Sequence, residues 1–119
     1  MKLVYEEKWD QNLSREDRRK IEEVFDETKE SDQAIEAVTL WHAFNHKNEL
    51  LVTALIHNRS ENDIIFDHTH ITYRTLDETI AEDTFTIPRL VVQPNTSMPW
   101  TFIFSKSEVN EPSFGTLVW

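Results

Sequence analysis

Five histidines, at positions 42, 46, 57, 68 and 70, are the side chains in this sequence best suited to chemistry. In Asp67-His68-Thr69-His70 two imidazoles stand two residues apart. On an extended chain they share a face about 6 to 7 Å from one another, a separation that suits two ligands of one metal ion. Asp67 would add a carboxylate oxygen. A metal-binding protein or metal-dependent enzyme built on Asp67, His68 and His70 is therefore the alternative reading. Spacing places no further ligand, and such pairs are common on exposed strands without metal, so the leading expectation is no metal and no cofactor.

His42 and His46 lie four apart, the helical ligand spacing, but their segment reads as strand and turn, where they are expected to face solvent. His57 falls out of phase with the apolar positions around it. It is expected on an outer face, or half buried with a hydrogen bond. Serine, histidine and aspartate all occur, yet no serine sits in a strand-turn-helix elbow or beside a glycine-built oxyanion hole. Asp77-Glu78 and Glu82-Asp83 occupy turn and strand-surface positions, where solubility accounts for them. No catalytic residue is assigned, and a non-enzymatic domain is expected.

Absent residue types exclude more. With no cysteine, disulfides, thiolate nucleophiles and cysteine-based metal sites are ruled out. Gly115 is the only glycine, so the dinucleotide fingerprint, the P-loop and the nucleophile elbow are missing. Twelve basic against 22 acidic side chains give a net charge of −10, which disfavours nucleic acid and anionic membranes as partners. No apolar run is long enough to span a bilayer, and Glu6-Glu7 interrupts the start too soon for a signal peptide, so a cytoplasmic location is expected.

Two kinds of element would position these residues within one domain of 119 residues. Residues 1–33 carry 18 of the 34 charged side chains. Within them Ser14-Arg15-Glu16-Asp17 has the form of a capping box, and Ile21, Val24, Phe25 and Thr28 follow at helical spacing. The spacing predicts an amphipathic helix from Arg15 to about Lys29, with Leu13 stapled to it, Trp9 anchored on a sheet, and Arg18-Arg19-Lys20 on a solvated face. From Ala34 onward β-branched and aromatic residues come in runs broken by Asn, Asp, Glu, Ser and Pro. The predicted strands are 35–45, 50–58, 64–74, 79–87, 90–93 and 100–105, with a possible seventh at 116–119. Six or seven strands without a further crossover helix predict a mainly β fold: an antiparallel, Ig-like two-sheet sandwich over 34–119 with the one helix packed on it.

Alternation selects the buried faces: Val38, Leu40 and Phe44 together, Leu50, Val52, Ala54 and Ile56 together, and Trp100, Phe102 and Phe104 together as core anchors. The loops at 45–49 and 58–62 lack glycine, but asparagine tolerates positive φ and closes such turns. Aromatic residues near Trp41 and Trp119 offer a small-ligand site as a third reading. Pro88 and Pro94 bracket Leu90, Val91, Val92 and Gln93, which marks them as a candidate edge strand for a partner or for a second copy.

The stretch from Leu90 to Phe104 is the least generic, ending Pro99-Trp100-Thr101-Phe102-Ile103-Phe104 after a polar, proline-closed loop. It resembles the end of the SLAP domain, the domain of the S-layer assembly protein in the accessory Sec system of Bacillus-type bacteria. Trp9 with Leu13-Ser14, the run from Leu50 to Asn58-Arg59, and Ile80 to Ile87 are similar to the same family. The resemblance implies a cytoplasmic accessory factor in the secretion or assembly of surface-layer proteins, binding a secretion substrate or the secretion machinery. It implies no catalytic or cofactor residues.

Overall fold

The computed structural model describes residues 1–119. In chain order the elements are β1 (Lys2–Leu3), α1 (Glu7–Gln11), α2 (Arg15–Thr28), β2 (Ile35–Phe44), β3 (Leu50–Asn58), β4 (Ile64–Ile65), β5 (Thr69–Arg74), β6 (Thr79–Phe85), β7 (Val91–Val92), β8 (Thr96–Phe104) and β9 (Thr116–Val118). The protein is mainly β. Its strands fall into three sheets, ordered β1-β8-β3-β2, β4-β7 and β6-β5-β9.

Helix α2 begins where the hydroxyl of Ser14 accepts the Asp17 amide at 3.0 Å, relieving one of the unpaired donors of the first turn. Its apolar stripe brings Ile21, Val24 and Phe25 onto Leu40 and Leu55 of the four-stranded sheet, with Leu13 and Trp9 beside them. The one-turn helix α1 is an addition to the expected elements. It is started by the Glu6 carboxylate, which accepts from the Lys8 amide. Arg18 does not stand on a fully solvated face: it is half-buried, pairs with Asp10 of α1 and lies over the Tyr5 ring at 4.6 Å.

The main core lies between the four-stranded and three-stranded sheets. Leu50, Val52, Ala54 and Ile56 of β3 and Phe102 and Phe104 of β8 meet Ile71 and Tyr73 of β5, Ile80 and Ala81 of β6, and Leu117 of β9. Strand β3 is apolar on both faces because its other side, at Leu55, lies under the helix.

Several strands depart from the expected pattern, each for a local reason. The β2 register slips between Thr39 and Trp41. A bulge inserts one residue and reverses the faces beyond it. Phe44 therefore pairs with Leu50 on the main-core side, opposite to Val38, and is 37% exposed. The strand expected over 64–74 is cut in two, since His68 takes a φ of 52° and turns the chain before Thr69. The third, two-stranded sheet arises there: Ile64–Ile65 pairs with Val91–Val92. Not every pair is antiparallel, because β1 runs parallel to β8 at Thr96 and Ser97.

Strand β8 also starts earlier than expected, at Thr96, and runs through Pro99. The amides of Arg59 and Asn45 donate to the carbonyls of Ala34 and Glu49, so odd-numbered β3 residues bond to β2 and even-numbered ones to β8. Pro99, opposite Leu55, sits at a non-hydrogen-bonded position with its nitrogen aimed at the free edge, where no donor is needed.

Candidate functional site

The helix is tied to the sheet by a buried polar chain. The Oγ1 hydroxyl of Thr28 donates to the Val24 carbonyl at 2.6 Å, so its lone pair is left to accept from Nε2 of His57 at 2.7 Å. Nδ1 of His57 then accepts from the Ser97 hydroxyl at 2.6 Å. The imidazole is fully buried, and burial, helped by the Arg59 charge and opposed by Glu36, holds its pKa down to about 4. His57 is thus a neutral structural link, buried under the helix and not on an outer face.

Arg59 completes the joint. Its guanidinium donates to the carbonyls of Thr28 at 2.6 Å, Lys29 at 2.9 Å and Gln33 at 3.0 Å, capping the negative end of α2. It lies 3.0 Å from a Glu36 oxygen that receives no directed hydrogen bond, so that contact is purely ionic.

Two surfaces remain open to a partner. The first is a groove of about 480 Å³ between α1, the start of α2 and the outer face of the four-stranded sheet. Trp9, Trp41 and Trp100 line it, above the hydroxyls of Thr53 and Thr101, which bond to each other at 2.7 Å. Trp100 shares the core face with Phe102 and Phe104 and packs against the main core, but it is only partly buried where they are sealed.

The second lies along the seam where the free edges of β2 and β9 face each other. Ile35 is 44%, Phe114 60%, Val118 47% and Trp119 39% exposed, and all four border depressions along this seam. Leu76 stands fully out of the adjacent β5–β6 turn. Scattered apolar residues are ordinary on a surface, but a cluster of this size is not. Gly115 shapes the seam: its amide donates to the Tyr73 hydroxyl at 3.0 Å and its carbonyl accepts from Oγ1 of Thr39 at 2.8 Å.

The structure separates the sequence-derived candidates. Asp67 and His68 bond to each other at 2.7 Å in the turn, whereas His70 sits on β5 beside Thr84, so the shared strand face on which the metal reading rested does not form. No group of three or more histidine, aspartate or glutamate side chains converges on one point. His42 is half-buried against Tyr73, whose hydroxyl lies 2.8 Å from Nδ1, while His46 is exposed, so the pair is not jointly solvent-facing. Trp41 and Trp119 belong to different places, the groove and the seam. At the proposed edge, Leu90 and Val92 are buried, the Val92 carbonyl accepts from the Asn58 amide group at 2.8 Å, and Val91 is exposed.

A family model for the SLAP domain matches residues 3–119. The chain belongs to the SLAP-domain family. No curated protein and no solved structure matches it. In this SLAP domain the stretch that carries the resemblance supplies β7, the turn at Asn95 with φ 57°, and β8, which lies between β3 and β1. The seam residues Leu76 and Phe114 were missed because both lie in segments that read as loops. A phenylalanine next to the sole glycine was the available signal.

Proposed function

We propose that this SLAP domain is a non-enzymatic protein-binding domain that acts in the cytoplasm in the secretion or assembly of surface-layer proteins. Membership of the family along the whole chain carries the reading. Support comes from the concentration of exposed apolar side chains beside unpaired strand edges, a surface suited to polypeptide and not to a small reacting molecule. No helix is long and apolar enough to cross a membrane, which agrees with a role at the face of the secretion machinery. The test is calorimetric titration of the purified chain with the host's surface-layer precursor kept unfolded, and with the same protein folded. Saturable binding of the unfolded precursor alone is expected. No binding to either form would remove the substrate from the proposal.

A further inference from the structure

We propose that the seam between β2 and β9 receives an extended segment of another polypeptide, apolar at alternate positions and basic at one end. Because Ala34 pairs with Arg59 through a hydrogen bond at 2.7 Å, Glu36 and Val38 bond to β3 in the same register. The amides and carbonyls of Ile35, Ala37 and Thr39 therefore point the other way, toward β9. No backbone hydrogen bond joins the two strands, and the side chain of Thr39 alone reaches across to Gly115. A row of outward donors and acceptors at this repeat is matched by an extended backbone, as in strand addition.

The side chains specify the rest. An all-apolar depression of about 280 Å³ is lined by Ile35, Ala37, Leu117, Val118 and Trp119, and a longer groove of about 530 Å³ continues it toward Phe114. Apolar side chains on one face of an incoming strand fit both. Asp77 and Glu78 outnumber Arg74 at the far end of the seam, so a basic end of the segment complements it there, whereas Asp32 at the near end shares its surroundings with Lys29 and Arg59. The net charge of −10 works against a second copy as occupant. Cα atoms of β2 and β9 approach within 8 Å, less than two strand spacings of ~4.8 Å each, so β9 moves outward on binding. β9 is held by three residue pairs to β5 and by Leu117 in the main core.

This inference rests on the protein-binding reading above, and its test is independent of any surface-layer role. The probe is a synthetic nine-residue peptide in which valine and threonine alternate up to a pair of lysines at one end. Hydrogen exchange by NMR on the full chain should show protection of the Ile35, Ala37 and Thr39 amides at saturation, with Glu36 and Val38 unchanged. Ala37→Pro removes an outward donor, and Val118→Arg places a cation on the exposed wall. Each should weaken the peptide by about tenfold or more, and Val91→Pro should not. Val118→Arg alters an exposed side chain, so it keeps the test decisive if Ala37→Pro fails to fold by circular dichroism. Absence of saturable binding, protection at Val91 in place of the seam, or a dimer abolished by Val118→Arg would each overturn the proposal. Peptide binding with no surface-layer defect when the gene is deleted in the host would sink the biological role and leave the seam. The reverse pair of results would sink the seam alone.

Discussion

Acidification should loosen this protein through His57 in a way that a single substitution can isolate. In the folded chain the imidazole is sealed between Ser97 and Thr28 with a pKa near 4, against 6.5 for the free group. Between those values the unfolded chain takes up a proton that the folded chain refuses. Stability from this site is therefore complete above pH 6.5 and is lost as pH falls toward 4. At 1.36 kcal/mol per unit the loss amounts to about 3 kcal/mol, a large part of a small domain's total. The many carboxylates also titrate there, so the useful quantity is the difference between the natural chain and His57→Gln, followed by urea unfolding from pH 4 to 8. That difference should shrink by about 3 kcal/mol from pH 7 to pH 4. A difference independent of pH would refute the sealed, neutral imidazole.

Four further outcomes follow from the packing. Phe102→Ala should cost about 3 to 5 kcal/mol in denaturant unfolding, and Trp100→Ala less, because Trp100 is only partly buried against the same core. Arg59→Lys should cost about 1 to 3 kcal/mol by the same measurement, since an ammonium cannot hold three carbonyls and a carboxylate at once. It should leave the His57 pKa depressed, whereas Arg59→Ala should raise it, read from the imidazole NMR titration. Gly115→Ala should destabilise by about 1 to 3 kcal/mol, because its Cβ would meet the Arg74 carbonyl oxygen at 2.8 Å. Ser14→Ala should cost about 1 kcal/mol, seen as a lower unfolding midpoint.

Legibility in the sequence tracked how local each cause was. The Ser14 cap and the Ile21 stripe are set by neighbours within a few residues, and α2 spans Arg15–Thr28. The uniform burial of Leu50, Val52, Ala54 and Ile56 follows from simple alternation in an undisturbed strand. Single backbone events defeated the same reasoning elsewhere: the bulge at Leu40 reversed Phe44, and the positive φ of His68 dissolved the histidine pair. Long-range pairings carry no local signal at all. Nothing near Lys2 announces a parallel partner at Thr96, and nothing near Val91 announces Ile65. The seam was the least legible feature, because an open edge depends on which strands fail to meet. His57 shows the limit in another form, since its phase was read correctly but the helix that buries it could not be placed over it.

The central claim, a protein-binding domain serving surface-layer proteins, is tested most directly in the native host. Deleting the gene and quantifying surface-layer protein in cytoplasmic, cell-surface and medium fractions measures the role itself. Less surface-layer protein at the surface is expected, with precursor retained in the cytoplasm, and recovery on restoring the natural chain. Unchanged amounts in all three fractions would contradict the claim.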